Sequence, residues 1–87
     1  MTSSQLPSRA DALEIHEVVD GFVVYDSERD RVHYLNHTAA LVLQLCDGKH
    51  DGSAIAKLIQ EAFALSEPPS GEVEECLGRF WEEGLVA

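Results

Sequence analysis

The sequence predicts a small α+β domain in which three strands precede three helices. Three observations carry this reading. Residues 13–35 are rich in β-branched and aromatic side chains and are broken by two short polar turns. Residues 38–83 switch to apolar side chains at helical spacing. The connections are short, so consecutive elements must be neighbours in space. A chain of 87 residues allows one domain with a modest core, since at this size only about 60–65% of the unfolded surface is buried.

Each element follows from its residues. Leu13-Glu14-Ile15-His16-Glu17-Val18-Val19 alternates, imperfectly, between apolar and polar, as a half-buried strand does. Asp20-Gly21 predicts a tight type I′ hairpin, whose two central residues need positive φ. Phe22-Val23-Val24-Tyr25 suits a central strand, Asp26 to Asp30 a charged turn, and Arg31 to Leu35 a third strand. Such a meander is about the minimum for independent stability, so the helices must cover one face. Asn36 is the predicted N-cap of a helix over Thr38 to Cys46, apolar nearly all round and therefore central, with Gly48 ending it in the left-handed conformation. Asp51 caps a second helix on which Ile55, Leu58, Ile59 and Ala62 form a stripe; Pro68 and Pro69 forbid its continuation. Ser70 is the predicted cap of a third helix, with Glu72, Glu74 and Glu75 well placed against its dipole. Val73, Leu77 and Phe80 form its core face, with Cys76 on one flank and Trp81 on the other. Gly84 terminates it, and Leu85-Val86 fold back onto it. The order βββααα reads as a winged-helix-like domain over residues 13–87, preceded by a flexible arm over residues 1–12.

Charge excludes several functions. Sixteen acidic against six basic residues give a net charge of −10. Nucleic-acid binding draws its affinity from Lys and Arg, and six scattered cations form no stripe. Helices two and three look superficially like a helix-turn-helix. The third, however, carries Glu72, Glu74, Glu75, Glu82 and Glu83 against Arg79 alone, a face that phosphates repel. The same balance disfavours an anionic membrane surface. The longest uncharged apolar stretch, Thr38 to Cys46, is far short of the roughly 18–20 residues that cross a bilayer, and residues 1–10 hold no apolar signal segment. The expectation is a soluble cytoplasmic protein.

Catalysis finds no support. No G-x-S-x-G signature is present, and Cys76 lies among glutamates that raise a thiol pKa. Cys46 and Cys76 sit in apolar helical patterns and read as small buried hydrophobes. Of the four histidines only His33 and His37 are four apart, across a strand-to-helix junction, so no zinc spacing emerges. His33 reads as a solvent-side strand residue and His37 as part of the first helical turn. No cofactor, metal or catalytic residue is expected.

A binding surface remains. The third strand of a meander is an edge, and Val32-His33-Tyr34-Leu35 carries neither the proline nor the lysine that usually blunts one. An extended peptide could add there as a fourth strand. Equally, the N-terminal arm or a second copy could cover it. If the His33 amide faces that edge, proline at His33 would remove a donor the peptide needs.

At this point the sequence resembles a known family. Asp20-Gly21-Phe22-Val23-Val24-Tyr25-Asp26, Val32-His33-Tyr34-Leu35-Asn36, Thr38-Ala39-Ala40, Leu45-Cys46-Asp47-Gly48, Ile55-Ala56-Lys57-Leu58 and the ending Phe80 to Val86 are similar in order and spacing to the PqqD-like family. Cys46 and Cys76 depart from the larger apolar residues common there, and Pro68-Pro69-Ser70-Gly71 is an unusual lead into the last helix. The resemblance implies a RiPP recognition element. Such a domain binds the leader segment of a ribosomally made precursor peptide and delivers it to a modifying enzyme, for example a radical-SAM enzyme, a protease or a cyclase. It also implies that the leader lies beside the third strand, against the third helix. Carried onto this chain, the peptide-binding residues would be Arg31, Val32, His33, Tyr34 and Leu35 on the strand. On the helix they would be Glu72, Val73, Cys76, Arg79 and Phe80, although Val73 and Phe80 also lie on the core stripe. Trp81 is an alternative wall. A winged-helix nucleic-acid regulator and a generic interaction module are the other readings.

Overall fold

The computed structural model describes residues 6–86. Strands β1 (Leu13–Val18), β2 (Gly21–Asp26) and β3 (Arg31–Leu35) form an antiparallel sheet in the order β1-β2-β3. Helices α1 (His37–Gln44), α2 (Gly52–Ala62) and α3 (Ser70–Glu83) follow. This is the expected α+β arrangement.

The first hairpin departs from expectation by one residue. Its loop is Val19-Asp20, because Val18 pairs with Gly21. Neither loop residue has positive φ, so the turn is not type I′. Gly21 instead opens β2, where a Cβ would collide with the carbonyl oxygen of Leu35. Glycine is needed there for the close approach of β3, not for the turn.

This register sets which way every backbone group points. A two-residue loop closes on a hydrogen-bonded pair, and bonded pairs then alternate along an antiparallel ladder. Gly21, Val23 and Tyr25 therefore bond toward β1. Phe22, Val24 and Asp26 bond toward β3, opposite Leu35, His33 and Arg31. The N–H and C=O groups left pointing out of the sheet on β3 are those of Val32 and Tyr34. The His33 amide faces β2, so proline there would break the sheet rather than the edge.

Side chains alternate perpendicular to this pattern. His33 and Leu35 turn into the core with Val24, while Val32 and Tyr34 stand on the outer face, both exposed. His33 is thus buried, contrary to the solvent-side reading. Once Leu35 faces inward, a residue two positions earlier must do so too.

Asn36 and Asp51 cap as expected, their side chains accepting from Ala39 N at 2.8 Å and Ala54 N at 2.9 Å. Ser70 does not cap α3. The cap position is Pro69, and Ser70 is already helical, its N–H bonding to the Pro68 carbonyl. The double proline begins the helix one residue earlier by pre-setting φ. Gly48 likewise does not cap α1, which ends at Leu45. At φ 81° Gly48 lies beyond the helix, and its N–H bonds to the Pro7 carbonyl. Gly84 does cap α3, left-handed at φ 75°, and Leu85 N–H bonds back to Phe80 O at 2.8 Å. Leu85 and Val86 are buried by this return.

Part of the stretch read as an arm is bonded to the domain. Arg9 N–H bonds to Cys46 O and Ala10 N–H to Leu85 O, so residues 7–10 run between the end of α1 and the chain's last described turn. Residues 1–5 lie outside the described residues. The described part of this stretch makes no backbone bond to β3. The core between sheet and helices is built on Val24, Leu35, Val42, Leu43, Ile55, Ile59, Val73 and Phe80.

Candidate functional site

Among the described residues no strand pairs with the outer edge of β3, which faces one flank of α3. At about 100° per residue, Glu72, Cys76, Arg79 and Glu83 fall on one side of the helix. Contacts confirm which side this is. Arg79 Nη2 donates to the Tyr34 carbonyl at 3.4 Å, and its Nε donates to Glu83 Oε1 at 3.3 Å. The same carboxylate oxygen lies 3.5 Å from His33 Nδ1. His33 Nε2 is buried with no partner among the described residues. Strand and helix are thus joined by a short polar chain running His33, Glu83, Arg79 and the Tyr34 carbonyl.

A second tie sets the distance between the two elements. Arg29, in the β2–β3 turn, donates from Nη1 to the Gly84 carbonyl at 3.1 Å and to Asp26 Oδ2 at 3.3 Å. A cation at the C-terminal end of α3 is favoured by the helix dipole. Asp26 is almost fully buried and accepts the Glu28 and Arg29 amides on Oδ1. Desolvation pushes its carboxyl up, but the amide and guanidinium donors of Arg29 with the Glu28 amide outweigh that and hold it below the usual carboxylate range. The β2–β3 turn, and with it the start of β3, is therefore clamped to the end of α3.

The predicted site residues separate into two groups. Arg31, Val32, Tyr34, Glu72 and Arg79 are exposed, and Cys76 is half-buried beside them. Leu35, Val73 and Phe80 are buried completely and belong to the core, and His33 turns inward. These four present no side-chain surface to a ligand, and Leu35 and His33 spend their backbone groups on β2. Trp81 is half-exposed, but it lies about 160° around the helix from Arg79 and so borders no part of the edge. Arg29 and Asp26 were not anticipated. Aspartate at a strand end before a charged turn signals its own local bonds to following amides. No local pattern signals the bond from Arg29 to Gly84.

Both cysteine thiols are shifted toward the protonated form. Desolvation pushes the Cys46 thiol up to about 11, and burial with Glu72 and Glu75 raises Cys76 despite Arg79. Among the described residues no three His, Cys, Asp or Glu side chains are grouped to hold a metal, and no helix is long and apolar enough to cross a membrane. One cavity, about 410 Å³, is an open cleft between Ser8–Leu13 and Gln44, Cys46 and Asp47. It includes no residue of β3 or α3. A strand edge offers a row of backbone groups rather than a hollow, so cavities do not locate it.

The protein-family model for coenzyme PQQ synthesis protein D (PqqD) matches residues 21–86, from the start of β2 to the turn behind α3. The chain belongs to the PqqD family. Comparison with curated proteins and with solved structures found no match. The PqqD family is that of the RiPP recognition elements, whose members are accessory binding proteins. Both sides of the β3–α3 edge lie inside the matched span, whereas β1 precedes it.

Proposed function

We propose that this PqqD-family chain is a stand-alone adaptor that binds the leader segment of a ribosomally made precursor peptide and presents it to a modifying enzyme, such as a radical-SAM enzyme, a protease or a cyclase. One observation carries the reading: Val32 and Tyr34 point their backbone donors and acceptors out of the sheet, in front of α3. A peptide strand added there gains affinity from main-chain bonds and specificity from alternate side chains. One set of its side chains turns toward Cys76, Arg79 and Glu72, and the other lies beside Val32 and Tyr34 on the outer face.

Charge refines the partner. Glu72, Glu75 and Glu83 outnumber Arg79 on this flank. A basic residue in the leader gains on-rate and register there more than affinity. Replacing Glu72 and Glu75 with Gln weakens binding a few-fold at low salt and hardly at high salt, because rim pairs are worth about 0.2–1 kcal/mol and are screened.

The test is an amide titration with the cognate leader. Resonances of Val32 and Tyr34 and of the α3 flank from Glu72 to Arg79 shift on binding. Shifts confined to residues 6–12 or to α2 would overturn the proposal.

A further inference from the structure

The edge that this reading needs is already partly occupied. Only Val32 and Tyr34 offer outward backbone groups on β3, so an added strand needs both. No side chain among the described residues donates to the Val32 carbonyl, while the Tyr34 carbonyl accepts from Arg79. We propose that Arg79 is a resident competitor for the β3 edge: its guanidinium holds the acceptor that a peptide amide would otherwise take, and strand addition proceeds by displacing it. This inference rests on the peptide-binding reading and adds that Arg79 opposes binding instead of providing a contact for it.

The geometry suits a device that releases easily. Charge-assisted bonds to oxygen are usually about 2.7–2.9 Å. Arg79 makes its two at 3.4 Å and 3.3 Å, with its side chain about half-exposed (49%). Little is lost when water replaces the Tyr34 carbonyl. Glu83, one turn later, retains the guanidinium, since arginine carries five donors and spends only one on Tyr34. Glu83 is in turn steadied from the strand side by the buried His33 ring. Arg79 therefore swings on Glu83 and stays near the edge. Docking has an order: the peptide engages Val32 first and takes the Tyr34 carbonyl second, as Arg79 leaves.

Arg79→Met removes the competitor and keeps the apolar stem on a half-exposed position. In the free protein, the carbonyl carbon of Tyr34 changes its chemical shift on this substitution, and an unchanged shift shows that Arg79 does not hold the carbonyl. The binding probe is a short peptide selected from a random displayed library on the immobilised protein and kept only if Val32→Pro abolishes its binding. Its affinity for Arg79→Met rises about two- to tenfold, the range expected when one weak competing hydrogen bond is removed. The gain persists in 1 M salt, where the Debye length is about 3 Å, so it is not a charge effect. Weaker binding to Arg79→Met, or a gain that vanishes in 1 M salt, overturns the proposal. A selection that yields no peptide dependent on Val32 overturns the strand-addition reading and the displacement with it, while the carbonyl shift still reports whether Arg79 sits on Tyr34.

Discussion

Two prolines one residue apart on β3 should behave as opposites. Proline at His33 removes an N–H that bonds toward Val24 and leaves the Val24 carbonyl without its donor in the core. An orphaned buried acceptor costs about 1–3 kcal/mol, and a ring within a ladder brings the total to about 3 kcal/mol or more. A domain of 87 residues has only about 4–13 kcal/mol in all. His33→Ala separates the backbone effect from loss of the imidazole and its 3.5 Å approach to Glu83. Proline at Val32 removes an amide that points outward from a residue 66% exposed, and costs about 1 kcal/mol or less. Urea unfolding measures both, and native-state hydrogen exchange reads the amides directly. His33 and Leu35 exchange only with global opening, while Val32 and Tyr34 exchange at least about a hundredfold faster through local motion. Equal costs for the two prolines, or a Val32 amide as protected as His33, would show the register argument to be wrong and the outward groups to be those of Arg31, His33 and Leu35.

Three further outcomes follow from the packing. Gly84→Ala places a Cβ in left-handed backbone and against the Arg29 guanidinium, costing about 2 kcal/mol and lowering Tm by roughly 8–16 °C; a double-mutant cycle with Arg29→Ala shows coupling, and strict additivity would separate the two effects. Asp26 has its folded pKa held down, so its contribution to stability is present above the unfolded value near about 3.9 and is lost as pH falls through the folded value. The stability gap between the protein and Asp26→Asn, measured by urea unfolding, is therefore widest near neutrality and closes in acid, and a gap that grows in acid contradicts the clamp. Phe80→Ala empties the centre of the core and costs about 3–5 kcal/mol, read as a fall in the urea midpoint; a small change would mean that Phe80 faces the edge instead.

Much of the fold is written in short-range chemistry. Asn36 and Asp51 accept from amides three residues on, and Gly84 adopts the left-handed cap, because these choices depend only on neighbours in the chain. The alternation of residues 13–35 and the apolar spacing of residues 38–83 are equally local, so the βββααα order followed from them. That β3 is an edge also followed, since three strands in a meander leave the third with one partner. The family was legible in the same short segments, whose order the matched span preserves.

What the sequence could not decide is which groups of β3 that edge exposes. The answer hangs on a one-residue register, set by a loop at Val19-Asp20 and not at Asp20-Gly21, and a slip of one residue exchanges the inward and outward sets. That exchange places His33 inside and makes Val32 and Tyr34 the outward pair. The resemblance put Val73 and Phe80 among the peptide-binding residues, whereas both are core, as their place on the apolar stripe of α3 also indicated. The contacts that shape the site join Arg29 to Gly84 and Arg79 to Tyr34, residues 55 and 45 positions apart. No periodicity encodes such pairs: they exist only once the turn before β3 and the end of α3 have been brought together by burial of the core between them.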